Sequence, residues 1–300
     1  MLVQWAEPVA MISCRMRCSS RAAFASLIVP TFILCGCSLA LDFDATSKDS
    51  SAGSGGNGSG GGSGAFCAQH MAPPAVFCDD FDSKPLGTVW PGVTATNGSA
   101  TDDPGAAFST PNSMLSVANG VAAGGSVRAV STLSFPSYSN ATKGYDLRTS
   151  FELRVDQFDS NSGAKNIAFS YLFGPDNDFN QIVMNLVSTG TAVSIQVAEN
   201  SQVFGASTSD YQLYGPFIPK PATGEWMKVE LDLDVVAPSG SGNGLHVKLN
   251  EQDTFDTTLK FALKGGTPRL ELGVGWVDST VATQIWKVRY DDFLVEAMSL

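Results

Sequence analysis

The stretch Trp226-Met227-Lys228-Val229-Glu230-Leu231-Asp232-Leu233-Asp234-Val235 decides the fold class. Met227, Val229, Leu231, Leu233 and Val235 alternate with Trp226, Lys228, Glu230, Asp232 and Asp234. A strand sends successive side chains to opposite faces, so period two gives one dry face and one wet face, which a helix would not. Residues 147–155 repeat the pattern. Leu147, Phe151, Leu153 and Val155 face one way, and Arg148, Glu152, Arg154 and then Asp156 face the other. Strand signals recur at 76–82, 112–118, 126–135, 166–173, 179–187, 191–198, 244–250, 254–261, 269–277 and 284–296, separated by Gly, Asn, Asp, Ser and Pro. No window shows a persuasive amphipathic helix, and no internal repeat is evident. About a dozen strands without helices predict an all-β domain: a two-sheet antiparallel sandwich of the jelly-roll kind.

That domain occupies residues 65–300, a size that suits a single β-sandwich. Residues 38–64 precede it. Their segment 51–64 holds eight Gly and four Ser in fourteen residues, with no side chain able to bury apolar area. It predicts a disordered Gly/Ser tether with a mean reach of roughly 30 Å. Further upstream, residues 22–34 (AAFASLIVPTFIL) form an apolar run broken by Pro30. The run is too short to span a bilayer but suits a signal-peptide core, with Arg15, Arg17 and Arg21 before it. It ends in Leu34-Cys35-Gly36-Cys37. That tetrapeptide resembles a bacterial lipobox. The resemblance implies that residues 1–37 are a lipoprotein signal peptide, with lipid, palmitate included, carried on Cys37. It implies anchoring in the cell envelope, and Ser38 after the cysteine points to the outer membrane. Several acyl chains on one residue suffice for stable anchoring. An ordinary signal peptide cut elsewhere, or an uncleaved anchor, is the competing reading.

Composition narrows the partners. Removing residues 1–37 takes away Arg15, Arg17, Arg21 and Glu7, leaving 15 basic and 28 acidic residues, a net charge of −13. So acidic a chain does not favour nucleic acid, whose phosphates carry the same sign. The two histidines, His70 and His246, argue against a His-rich zinc site and a Ser-His-Asp hydrolase. Cys67 and Cys78 are the two cysteines beyond the tether. In an exported, oxidised chain they are expected to pair, fastening the start of the domain to its first strand.

Four motifs occur in order: Phe77-Cys78-Asp79-Asp80-Phe81-Asp82; Pro111-Asn112-Ser113-Met114-Leu115; Gly224-Glu225-Trp226-Met227-Lys228-Val229-Glu230-Leu231; and Val288-Arg289-Tyr290-Asp291-Asp292-Phe293-Leu294-Val295. Together they resemble the concanavalin A-like lectin/glucanase superfamily, including laminin-G-like domains, over most of 76–297. The resemblance implies a jelly roll of two curved sheets, glycan bound on the concave face, and N- and C-terminal strands side by side. It also implies a structural calcium where those strands meet, with Asp80 and Asp291 at the matching positions and Asp82 and Asp292 nearby. Calcium takes six to eight oxygens, backbone carbonyls among them. Alternatively, these acids cap strand ends or pair with Arg289 or Lys287.

The family's glucanases carry alternating carboxylates on one strand, and Glu230-Leu231-Asp232-Leu233-Asp234 superficially matches them. Same-face neighbours lie about 6.6–7 Å apart at Cα, compatible with the roughly 5–5.5 Å carboxyl separation of retaining glycosidases. By the same resemblance, however, the Gly-x-Trp-x-x-Val strand belongs to the outer sheet, and the last acid is Asp where the family has Glu. A solvated outer face is the preferred reading. Glu152 and Asp156 lie about 13 Å apart, too far for either glycosidase geometry. Asp176-Asn177-Asp178-Phe179-Asn180 reads as a turn, lacking the Gly and distal Glu of an EF-hand.

Sugars are held by planar polar groups and by stacking on aromatic rings. Arg154, Tyr171, Gln181, Asn185 and Gln196, on strands in the middle of the domain, are the candidate carbohydrate-binding residues. Trp276 and Trp286 are candidate platforms, or else core packing. The expected function is a membrane-tethered lipoprotein with a lectin-like, non-enzymatic domain that binds polysaccharide. The alternatives are a glycan-cleaving enzyme on the same fold and a protein-binding adhesion or structural module.

Overall fold

The computed structural model describes residues 65–300, except 71, 73, 120–127, 135–143, 159–164, 189–192, 206–208, 220–221, 237–241, 265–267, 276, 279–284 and 300. The signal segment with Cys37, the tether and Trp276 therefore lie outside the described residues. In chain order the strands are β1 (Ala75–Asp79), β2 (Thr94–Thr96), β3 (Gly98–Asp103), β4 (Ser113–Asn119), β5 (Arg128–Ser134), β6 (Tyr145–Phe158), β7 (Lys165–Phe173) and β8 (Phe179–Ser188). Then come β9 (Val193–Gln202), β10 (Asp210–Pro219), β11 (Trp226–Val235), β12 (Gly244–Leu249), β13 (Gln252–Thr258), β14 (Arg269–Val274), β15 (Val277–Asp278) and β16 (Ile285–Ser299). Two short helices, α1 (Ala65–His70) and α2 (Leu86–Val89), flank β1.

All described pairings are antiparallel, in two sheets. The first runs β13-β12-β11-β6-β16-β4-β3, with β1 on β16; the second runs β10-β9-β8-β7-β14-β5-β2, with β15 on β7. This is a jelly-roll sandwich. β1 lies antiparallel on β16, so the first and last strands are neighbours.

β11 behaves as its alternation predicts: Met227, Val229, Leu231, Leu233 and Val235 are buried, and the intervening residues are half-buried or exposed. On the neighbouring β6, Leu147, Phe151, Leu153 and Val155 point the same way. Between the sheets Phe151 packs against Phe169 and Phe293, at ring-centroid distances of 5.4 and 5.7 Å. Each such ring, fully buried, contributes about 1.5–3 kcal/mol. Polar bonds also cross the core. Tyr290 donates to the Ala168 carbonyl at 2.7 Å, Val274 N–H donates to Ser116 Oγ at 2.9 Å, and Thr149 and Tyr171 join hydroxyl to hydroxyl.

Sequence patterning misses β2, β3 and β10. The first two are short, polar edge pieces, and the acids of β3, Asp102 and Asp103, discourage further pairing. Gly215 and Pro216 interrupt β10, which survives as the opposite sheet's edge, where a missing N–H is tolerated. Gly215 has φ +67°, and an added Cβ would sit 3.3 Å from the Phe255 ring on β13.

The expected disulfide forms between Cys67 and Cys78, tying α1 to β1. Beside it, buried Asp79 accepts from Phe81 N–H at 3.0 Å and Trp90 Nε1 at 2.7 Å.

Candidate functional site

The two sheets differ in their outward faces. On β6 and β11 the outward side chains form a charged surface. Register sets Glu296, Arg148, Asp232, His246 and Asp256 in one cross-strand row, and Ser150, Glu230, Lys248 and Asp253 in the next. Signs alternate, and Arg148 pairs with Asp232 at 3.3 Å and Lys228 with Glu230 at 2.9 Å. A cavity of about 290 Å³ opens here, lined by Arg148, Glu230, Asp232, His246, Lys248 and Glu296 among others. Glu230 and Asp232 thus stand on the outer face among cations, in an arrangement of mutual charge pairing rather than an isolated acid–base pair.

The second sheet's outward face is recessed. Along β8 and β9 the inward residues Ile182, Met184, Leu186, Ile195 and Val197 belong to the core. Their alternates Val183, Asn185, Gln196 and Ala198 point away from it, yet each is less than 5 % exposed. Register arranges this face in rows. Tyr211, Asn200, Gln181, Leu172 and Arg269 lie side by side across five strands, about 19 Å at the usual inter-strand spacing. The next row is Leu213, Ala198, Val183, Ser170 and Glu271, and the third includes Gln196 and Asn185.

Amides dominate this trough. Gln181 Nε2 donates to Ser170 Oγ at 3.1 Å, and Ser170 Oγ lies 3.5 Å from Glu271 Oε2. Asn185 Nδ2 donates to the Tyr211 hydroxyl at 3.4 Å across β9, where Ala198 occupies the intervening position. Burial pushes the Tyr211 hydroxyl above its ordinary range, so it stays protonated at neutral pH. Gln196 Oε1 and Asn200 Oδ1 are buried and have no hydrogen-bond partner among the described residues. A buried acceptor left unmade costs about 1–3 kcal/mol, which an incoming donor recovers.

The five candidates read from sequence divide accordingly. Gln181, Asn185 and Gln196 share the recessed face. Arg154 does not: it stands on β6 in the other sheet, 2.6 Å from Asp156 and with its guanidinium 5.9 Å from the centre of the Trp226 ring. Tyr171 is in the core, 1 % exposed, facing Thr149. Trp286 is fully buried too and packs on Phe158, so it is no platform. Tyr211, Asn200, Ser170 and Glu271 are trough residues that sequence reading overlooks. Tyr211 and its strand were missed together, and the others give no signal until the register is known.

At the junction of the first and last strands, Asp291 accepts from Phe108 N–H at 2.8 Å, Ser109 N–H at 3.0 Å and Asp292 N–H at 2.9 Å. Its oxygens are engaged in pinning the 108–109 loop. Burial and the adjacent Asp292 charge nevertheless push it up to about 8. Burial also raises Asp292; the Ser109 hydroxyl lowers it, and the Asp80 charge adds to the rise. Asp80 Oδ2 is buried without a partner. Asp80 therefore fits a cation-binding role, and its charge helps to raise the Asp292 carboxyl. Among the described residues no three His, Cys, Asp or Glu side chains are grouped to hold a metal, so calcium here would need backbone carbonyls and water as its other ligands. Asp176 and Asp178 pair with Arg269 and Lys264, as a solvated turn would.

No protein-family model matches the chain, and no curated protein matches it. Solved structures do. An endo-β-1,4-glucuronan lyase from the fungus Trichoderma reesei superposes with a TM-score of 0.53 at 11 % identity, covering 74 % of this chain and 95 % of that one. A mutant alginate lyase in complex with alginate tetrasaccharide superposes with a TM-score of 0.50 at 12 % identity, covering 75 % and 94 %. At such identities the likeness is one of fold.

Proposed function

We propose that the recessed face of the second sheet binds polysaccharide without cleaving it. The observation that carries this reading is Gln196: 3 % exposed, pointing away from the core, its Oε1 unpartnered in a trough of amides and hydroxyls. Such a row of planar donors and acceptors matches the vicinal hydroxyls of a sugar chain. The fold's use for glycans in the two superposed lyases supports it. Glycan-array retention of the full chain tests it. The wild type should be retained with no released sugar, and Gln196→Ala should bind about tenfold more weakly, a loss of ~1.4 kcal/mol. Equal retention of the variant sinks the reading.

A second reading, cleavage on the same fold, is favoured by one observation: a tyrosine hydroxyl, Tyr211, reaches the trough beside Asn185. Newly formed unsaturated sugar ends, absent with Tyr211→Phe, would establish it.

The proposal includes attachment to the outer membrane through lipid on Cys37, supported by the lipobox-like Leu34-Cys35-Gly36-Cys37. Cys37→Ser should move the chain from the membrane fraction to the soluble one. No helix among the described residues is long and apolar enough to cross a membrane. A calcium ion at Asp80 and Asp292 is a separate proposal, carried by the unpartnered Asp80 Oδ2. A melting temperature equal in calcium and EDTA would dispose of it.

A further inference from the structure

We propose a second binding site, on the outward face of the first sheet, for an acidic sugar chain. Arg154 supplies a fork for a sugar carboxylate, and Phe108 supplies a platform for a pyranose ring. The site stands apart from the trough and does not depend on it.

The fork is built on three neighbouring strands. Register sets Trp226 on β11, Arg154 on β6 and Arg289 on β16 side by side. Their chain neighbours Met227, Val155 and Val288 belong to the core, so these three side chains point outward. Asp156 joins the two arginines: Oδ1 accepts from Arg154 Nε and Oδ2 from Arg289 Nε, each at 2.6 Å. Arg289 engages its other nitrogens too. Nη1 donates to the Ala106 carbonyl at 3.4 Å and to Ser113 Oγ at 3.3 Å, and Nη2 donates to Asp103 Oδ2 at 3.5 Å. Arg289 is buried and serves to fix Asp156. Arg154 is the opposite case. Among the described residues only its Nε is hydrogen-bonded. Its guanidinium carbon lies 5.9 Å from the centre of the Trp226 ring, and its side chain is 25 % exposed. Asp156 and Trp226 therefore orient the guanidinium while its Nη1–Nη2 edge remains for a ligand. That edge presents two parallel N–H groups, which match the two oxygens of a carboxylate. The chain's formal net charge of −11 gives an anion no long-range attraction, so recognition falls to this contact.

A fork alone fits many anions, and Phe108 narrows the class. Its residue is 53 % exposed, and its ring meets Trp226 edge-on, with centroids 6.0 Å apart at 69°. The loop that carries it, between β3 and β4, is pinned. Asp291 accepts from Phe108 N–H at 2.8 Å and from Ser109 N–H at 3.0 Å, and Ser109 Oγ donates to Asp292 at 2.8 Å. An exposed ring on a pinned loop is preorganised, so little entropy is lost when a sugar stacks on it. Trp226 thus touches both the fork and the platform. A simple anion would use the fork alone, and a neutral sugar the platform alone. A uronic acid chain brings a ring and a carboxylate at every residue and uses both.

The experiment is affinity electrophoresis of the full chain through gels holding polyglucuronate, alginate or a neutral β-glucan, with wild type, Arg154→Lys, Phe108→Ala and Gln196→Ala. None of the three substitutions changes the net charge, so mobility without polymer stays the same. Lysine keeps the charge of Arg154 but not its planar edge. The expected result is retardation by a polyuronate that is about tenfold weaker in Arg154→Lys and in Phe108→Ala and unchanged in Gln196→Ala. Free methyl glucuronide should compete and methyl glucoside should not. The melting temperature of Phe108→Ala should equal that of the wild type, which separates lost binding from lost folding. Loss in Arg154→Lys alone would overturn the sugar class and leave a bare anion fork. Loss in Phe108→Ala alone would overturn carboxylate recognition. Polyuronate retardation lost only in Gln196→Ala would place the acidic chain in the trough and overturn the second site. Retardation by neither polyuronate would overturn it too, while retardation by the neutral glucan that Gln196→Ala abolishes would leave the trough reading standing.

Discussion

At the scale of single residues, position in the sandwich separates side chains that look equivalent in sequence. Tyr171 and Tyr211 are both strand tyrosines, but one faces the core and the other the trough. Tyr171→Phe leaves the buried Thr149 hydroxyl without its partner, which should cost about 1–3 kcal/mol of stability. Denaturant unfolding should show that loss, while glycan retention stays at the wild-type level. Gly144 tells a similar story for the backbone. Its φ is +80° and a Cβ would lie 2.3 Å from the Val235 carbonyl oxygen, so the position excludes any L side chain. Gly144→Ala should destabilise by well over ~1 kcal/mol, read as a lower denaturation midpoint, because strain adds to the steric overlap.

At the scale of elements, α1 is held to β1 by Cys67–Cys78. The loop they close spans a sequence separation of 11, and in the chain-entropy account such a loop is worth about 3 kcal/mol. Converting both cysteines to serine should therefore lower the melting temperature by several degrees, at about 2–4 °C per kcal/mol for a domain of this size. Circular dichroism should still show the strands, since the sheet pairing of β1 with β16 does not pass through the sulfurs. On β11 the alternating carboxylates form part of a cross-strand charge ladder. Replacing Glu230 and Asp232 by their amides should leave glycan retention unchanged and stability within about 1 kcal/mol, as exposed ion pairs are worth little.

At the scale of the whole molecule, several buried carboxylates govern the response to pH. Burial raises Asp79 to about 6; burial and the Asp292 charge raise Glu152 to about 7; burial and Asp292 raise Asp291 to about 8. In the unfolded chain such groups titrate near pH 4. Between about pH 4 and 8 the folded protein therefore holds more protons than the unfolded one, and stability falls as pH rises. Below that window the contribution is fully present, and above it the loss is complete. His246, raised mainly by its bond to Asp256, acts in the same direction. The melting temperature should be higher near pH 5 than near pH 8. A flat or inverted profile would mean that these acids are ionised in the folded state.

Much of this architecture was legible in the chain. Alternation in residues 226–235 and 147–155 is local, so it announces strands and their dry faces without knowledge of the partner. Two lone cysteines announce their pairing, and Gly, Pro and Asn mark the turns. Weakly apolar edge strands such as β3 and β10 escape, because an edge buries one flank and needs no strong pattern. What only the tertiary structure decided is which face is recessed and which residues share it. Arg154 and Gln181 occupy similar strand positions, yet register sends one to the charged sheet and the other to the amide trough. Asp291 and Asp292 are adjacent, yet Asp291 takes the Phe108 and Ser109 amides while Asp292, with φ 45°, takes the Ser109 hydroxyl at 2.8 Å. Alternation specifies inside against outside by local sterics and hydrophobic burial. Sheet membership and register are settled by pairing between strands distant along the chain, which no local pattern encodes.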